Sequence, residues 1–150
     1  MVTLYRDEQV NTISYNLNIP KVLVHEVLTT YINMLSEKIS NGEPARFLNI
    51  CHIRVDGVKE TKHETLAYTA TELAKKLNQS SVVVGRILEN YEESIIEDLK
   101  NGYSYNIRGL VNLKMEGGSV NSKKSTKYDG YDIRVMLIGS FKRRVKGDII

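Results

Sequence analysis

Apolar positions recur in the same phase along two stretches of the chain. Val84, Ile87, Leu88, Tyr91, Ile95 and Leu99 stand at steps of three and four, which makes one stripe of a helix, while Glu89, Glu92, Glu93 and Glu97 fall largely off it and read as a solvated face. Val24, Val27, Leu28, Tyr31, Leu35 and Ile39 trace the same stripe 60 residues earlier. Shifting the sequence against itself by 60 brings residues 10–57 onto 70–117 without a gap, with ten identities over 48 positions, among them Leu17 with Leu77, Asn18 with Asn78, Tyr31 with Tyr91 and Gly57 with Gly117. The chain is therefore an internal repeat.

The same elements are expected in each copy. Thr69-x-x-Glu72 reads as a capping box that opens a short helix through about Asn78, with Val10 to Leu17 as its counterpart. A long helix follows, with Pro20 in the first turn of the first copy's helix and the pairs Asn41-Gly42 and Asn101-Gly102 as left-handed C-terminal caps. The period then changes: Phe47 to Val55 and Ile107 to Met115 are β-rich runs with polar residues at alternate later positions. Each copy reads as helix, helix, strand. In the second copy the polar Gly/Ser/Lys stretch from Glu116 to Tyr131 predicts a protruding hairpin arm before a strand from Asp132 to Ile138, and the first copy has a shorter equivalent from Asp56 to Tyr68.

Composition narrows the class. At 150 residues and 17.1 kDa the chain is one compact unit made of two repeats, about 10–68 and 69–147. Its 41% hydrophobic and 26% charged residues, with only two prolines, exclude disordered, collagenous and disulfide-stapled classes. The lone Cys51 lies in an apolar run and reads as a small buried hydrophobe. No stretch approaches the ~20 apolar residues of a membrane span, and the start carries acids where a signal peptide carries an apolar segment, so the expected location is cytoplasmic with no membrane partner.

Charge is unevenly spread. Residues 1–68 hold 7 basic and 8 acidic groups, net −1, and residues 69–150 hold 14 and 10, net +4, which together give the +3 of the whole chain. From Ser119 to Gly147 eight basic residues face only Asp129 and Asp132. Catalytic chemistry finds no comparable concentration. His25, His52 and His63 lie at no metal-ligand spacing, no nucleophile with a base or paired acids emerges, and the Gly117-Gly118 stretch lacks the second glycine before Lys-Ser and the helix that a phosphate loop needs. No enzyme, metal, cofactor or small-molecule substrate is expected.

A short helix, a long helix ending in Lys100-Asn101-Gly102, the run Ile107-Arg-Gly-Leu-Val-Asn-Leu113, a basic arm and Ser140-Phe-Lys-Arg-Arg-Val-Lys-Gly147 together resemble the HU and integration host factor family. That family's strand motif reads L-x-G-F-G-x-F. This chain keeps the first apolar residue and Gly109, while Leu110, Val111 and Leu113 replace Phe, Gly and Phe, and the first copy has Asn49 at the glycine position. The resemblance implies an α+β fold in which two helix-helix-strand copies form a pseudo-twofold body, the family's dimer fused in one polypeptide, with a β-saddle and one long and one short β-arm. It implies a non-enzymatic architectural protein that contacts the backbone and minor groove of double-stranded DNA with little sequence preference, on the nucleoid, or in host cytoplasm or virion if the protein is viral. The residues it assigns to DNA are Arg54, Lys59, Lys62, Arg108, Lys114, Lys123, Lys124, Lys127, Tyr128, Arg134, Lys142, Arg143, Arg144 and Lys146. Family arms carry a tip proline that wedges between base steps, whereas the prolines here are Pro20 and Pro44.

Three other readings compete. A lysine-rich loop serves solubility in many proteins. Thr71 to Leu88 also reads as a helix-turn-helix, although Val82-Val83-Val84 offers bases few hydrogen-bonding groups. The acidic first half and short first arm suit a structural or partner-binding protein, of phage origin for instance, that keeps the fold and self-associates or holds a protein partner.

Overall fold

The computed structural model describes residues 1–57, 65–123 and 125–147. The repeat in sequence is a repeat of elements. Helices α1 (Asp7–Leu17) and α2 (Lys21–Ser40) lead into strands β1 (Ala45–Phe47) and β2 (Cys51–Val55), and α3 (Leu66–Leu77), α4 (Ser81–Lys100), β3 (Tyr105–Ile107) and β4 (Val111–Glu116) follow in the same order. The chain then adds β5 (Ser119–Ser122), β6 (Ser125–Tyr128), β7 (Tyr131–Leu137) and helix α5 (Gly139–Lys146). The class is α+β, with two antiparallel sheets of order β1-β2-β7-β6 and β3-β4-β5.

Local chemistry sets the helix ends. α2 and α4 close alike: Gly42 (φ 75°) and Gly102 (φ 91°) turn left-handed, and the N–H groups of Glu43 and Tyr103 reach back to the carbonyls of Lys38 and Asp98. Pro20 is the residue before α2 rather than within its first turn. The opening of α3 differs from the capping-box expectation. Its cap is Thr65, whose hydroxyl accepts from the Tyr68 N–H at 3.1 Å, while Thr69 lies buried inside the helix and donates to the Thr65 carbonyl. Leu66, Ala67 and Tyr68 tolerate helix, so the earlier hydroxyl caps it.

Each β-rich run is a hairpin rather than one strand. Phe47 pairs with Cys51 and Ile107 with Val111, across three-residue turns closed by N–H to carbonyl bonds from Ile50 to Phe47 and from Leu110 to Ile107. Leu48 (φ 51°) and Arg108 (φ 48°) both adopt the left-handed region that makes the reversal, and neither is a residue that advertises it.

The expected long arm is also replaced. Residues 116–131 make two tight reversals instead, at Gly117-Gly118 between β4 and β5 and at Asp129-Gly130 between β6 and β7. The paired left-handed residues of each turn suit a two-residue hairpin. Each strand then joins a sheet: β5 pairs with β4, and β7 pairs with β2 over five residue pairs from Cys51 with Leu137 to Val55 with Ile133. Residues 58–64 of the expected short arm lie outside the described residues, and Leu66 to Tyr68 belong to α3.

The two ends of the chain exchange halves. The C-terminal β7 completes the sheet begun by the first copy, while the Val2 N–H donates to the Ser104 carbonyl and the Asn106 N–H to the Val2 carbonyl, so the N-terminus extends the sheet of the second copy. The helices exchange too, with α1 packed on α2 and α4, and α3 on α4 and α2. Equivalent positions of the repeat meet in one core: Val24 and Val84, Leu28 and Leu88, Tyr31 and Tyr91, Leu35 and Ile95, Ile53 and Leu113 are all buried. Cys51 is buried there as well, and burial pushes its thiol up, away from the reactive thiolate.

Tyr31 and Tyr91, equivalent in the repeat, do unequal work. The Tyr31 hydroxyl donates to the Arg46 carbonyl at 2.9 Å and accepts from the Leu48 N–H at 2.7 Å, so it satisfies one carbonyl and one N–H of the first hairpin. Among the described residues the Tyr91 hydroxyl makes one hydrogen bond, to the Leu4 carbonyl. Tyr31→Phe should therefore cost about 1 to 3 kcal/mol, and Tyr91→Phe should cost less, because it strands one backbone group rather than two. Denaturant midpoints at unchanged m-value test the ranking.

Candidate nucleic-acid interface

Alternation along the strands divides each sheet into a core face and an outward face. In the first sheet Ile53, Val55, Ile133 and Val135 are buried, and His52, Arg54, Asp132, Arg134 and Met136 face outward. Register aligns them in rows: Arg46 opposite His52 opposite Met136, and Arg54 opposite Arg134. Lys127 of β6 lies opposite Asp132 on this same face. In the second sheet Asn106 pairs with Asn112, and Lys114 with Asn121, on the outward face.

The sheets meet where β5 lies beside β7, and there they leave a cleft of about 500 Å³. Its walls are Arg54 of β2, Val120, Asn121 and Ser122 of β5, Arg134, Val135, Met136 and Leu137 of β7, and Lys142 of α5. Three cations from three different elements thus line one opening. Arg134 is held by Asp56, with Nε 3.0 Å from Oδ1, and Lys114 by Glu116 at 2.7 Å. The hydrogen bond from Lys114 holds the Glu116 carboxyl below the usual carboxylate range.

Of the residues the sequence assigned to DNA, the fold brings Arg54, Arg134 and Lys142 to the cleft, Lys127 to the adjoining sheet face, and Lys114 to the second sheet. Lys123 is exposed in the link between β5 and β6, and Arg143 and Lys146 are exposed on α5. Arg108 stands apart, exposed in the β3–β4 turn at the far end of β4. Tyr128 is half-buried against the core. Lys59, Lys62 and Lys124 lie outside the described residues.

Arg144 turns away from this surface. Its Nη1 is 2.5 Å from Oε2 of Glu92 and its Nη2 is 2.8 Å from Oε1 of Glu93, tying α5 to α4. Glu92, expected on a solvated face, is buried, and its Oε1 accepts the Asn49 N–H at 2.7 Å. Arg46 extends the network, donating to the Asn49 side chain and to the Leu48 carbonyl. One carboxylate therefore joins α4, α5 and the β1–β2 turn. Asp98 does the equivalent work at the C-terminal end of α4: Arg6 reaches it through Nε at 2.9 Å and Nη2 at 2.6 Å, and the Tyr105 hydroxyl donates to it. Arg6 also lies over the Tyr103 ring, 4.3 Å from its centroid.

Sequence reading missed both acids, because each sits beside the apolar stripe where a surface acid also sits. It also missed α5, although Phe141 and Val145 at a spacing of four with Gly147 behind them carry that signal. The helix-turn-helix alternative meets the burial of Val84, Ile87, Leu88 and Tyr91, which commits that face of α4 to the core. No protein-family model, curated protein or solved structure matches this chain.

Removing Arg144 leaves the buried Glu92 without its cation. Because Arg144 itself is about one-third exposed, Arg144→Ala should cost about 2 to 3 kcal/mol rather than the larger loss of a fully buried pair. Arg143→Ala, on the exposed side of the same helix, should stay within about 0.5 kcal/mol. Thermal melts of the two variants make the comparison.

Proposed function

We propose that the protein is a non-enzymatic, architectural double-stranded DNA-binding protein of HU-like plan, with the family's two subunits fused into one chain. The observation that carries this reading is the cationic outward face built across β2, β7, β6 and α5, where Arg54, Arg134, Lys127 and Lys142 come from separate elements to one side of the molecule. Repeated helix pairs interlocked beneath sheets support the same plan. Lysines and arginines on a sheet reach phosphates without reading bases, so the expected selectivity is weak. The described hairpins are short, which confines contact to the sheet faces and their rims. Pro20 precedes α2 and Pro44 precedes β1, and neither sits in a described hairpin turn, which leaves the duplex without a proline wedge and favours backbone contact over sharp bending.

Counterion release gives the test. With four to six phosphates neutralised at about 0.9 each, log K should fall against log salt with a slope of roughly −4 to −5. The double substitution Lys123→Ala with Lys127→Ala should flatten that slope by up to about 2 while leaving the melting temperature nearly unchanged, because both side chains are exposed. Fluorescence titration of unrelated duplexes at several salt concentrations reads the slope and the selectivity together. An intact protein that binds no duplex at low salt overturns the reading.

A further inference from the structure

The cleft between β5 and β7 has features that an open phosphate-contacting surface does not require. A sheet face that meets a duplex needs exposed cations, whereas this opening is a concavity of about 500 Å³, inside the range of small-molecule sites. Its lining has two characters. Arg54, Arg134 and Lys142 supply charge and Asn121 an amide, while Met136 and Leu137 supply aliphatic surface. The Ser122 hydroxyl is buried and has no hydrogen-bond partner among the described residues. A buried hydroxyl left unmatched costs stability.

We propose that this cleft is a binding site for a nucleoside 5′-phosphate, either as a free nucleotide or as the phosphorylated end of a strand. The charge count favours a monoester. A phosphomonoester carries about −1.5 to −2 at pH 7 and three acceptor oxygens, which suits three cations better than the single charge of a backbone diester. Arg54 and Arg134 are direct cross-strand neighbours, so their guanidinium groups can approach one phosphate from the same side, and guanidinium matches phosphate oxygens in pairs. Met136, 40% exposed on the same face as Arg134, then gives the sugar and base an adaptable aliphatic contact.

Asp56 regulates the site. Its carboxylate holds Arg134 at 3.0 Å and stands in for the phosphate when the cleft is empty of ligand. The pair is exposed and therefore weak, so a dianion can take the guanidinium from it. Losing that carboxylate removes both a competitor and a repulsive charge.

Titrations of the full-length protein with adenosine 5′-monophosphate, adenosine, 3′,5′-cyclic adenosine monophosphate and inorganic phosphate at fixed ionic strength test the proposal, followed by calorimetry and by amide shifts along β5, β7 and α5. The 5′-monophosphate should bind at least about ten-fold more tightly than adenosine or the cyclic diester, the loss expected for one charge-assisted contact. Arg54→Ala and Lys142→Ala should each weaken it about ten-fold, and Asp56→Asn should strengthen it. A 5′-phosphorylated single strand that competes where its dephosphorylated form does not places strand ends among the ligands, and competition by the free nucleotide alone restricts the site to nucleotides. Equal binding of adenosine and its monophosphate, shifts confined to other elements, or weaker binding by Asp56→Asn overturns the proposal. Duplex titrations run beside these keep the two readings apart: salt-dependent duplex binding without nucleotide binding sinks the cleft site alone, and nucleotide binding without duplex binding sinks the architectural reading alone.

Discussion

The pairing of β2 with β7 is the constraint from which the arrangement of the molecule follows. A two-stranded β1–β2 hairpin is marginal by itself, and its apolar face of Phe47, Cys51, Ile53 and Val55 needs both a third strand and a helical layer. Among its described residues the first copy runs from β2 to α3 with neither a third strand nor a terminal helix of its own. β7 provides the strand, and Phe141 and Val145 of α5 enter the common core behind it. Because β7 must lie beside β2 while β5 lies beside β4, the short link between β5 and β6 forces the two sheets to adjoin. The cleft and its cations are the result of that forced meeting.

The two copies are built alike and then labelled differently. Ile32, fully buried in α2, has Glu92 as its repeat partner in α4, and Lys38 has Asp98. Each acid on α4 receives an arginine from beyond the repeated region, Arg144 from α5 and Arg6 from the segment before α1. A buried carboxylate tolerates few alternatives, since an unpaired charge in the interior is far costlier than a misplaced methyl group. A second copy packed against another second copy would bury four such acids without the two arginines that lie outside the repeat, so Glu92 and Asp98 specify which helix pair meets which. The tyrosines follow the same division. Tyr31 secures its own hairpin turn, and Tyr91 secures the crossing N-terminal segment.

Much of this body was legible in the sequence because periodicity is a local property. The stripes of α2 and α4, the shared glycines at 42 and 102, and the buried Cys51 all follow from spacing within one element. The hairpins inside the β-rich runs were hidden because Leu48, an apolar residue with no turn character, takes the left-handed conformation, and Ile50 is buried within the turn itself. The destination of the basic C-terminal stretch was hidden for another reason. Alternating residues predict a strand but not its partner, so a protruding arm and a strand returning to the other copy read identically. Of the basic residues, Arg54 and Lys114 were placed by alternation, whereas Arg144 differs from Arg143 only by which side of a short helix faces Glu92.

The exchange of chain ends also governs how fast the molecule can form. Ile53 meets Val135, partners separated by 82 positions along the chain (135 − 53), and Val2 meets Tyr105 across a similar span. Helix pairs assemble from near neighbours on short timescales, but long-range strand pairing must first close a large loop and raises the contact order well above that of a helical bundle. The helical body is therefore expected to collect early and the sheets late. During that interval β2 offers an open edge that any chain's β7 can satisfy, so refolding at high concentration favours exchanged, linked chains over single ones.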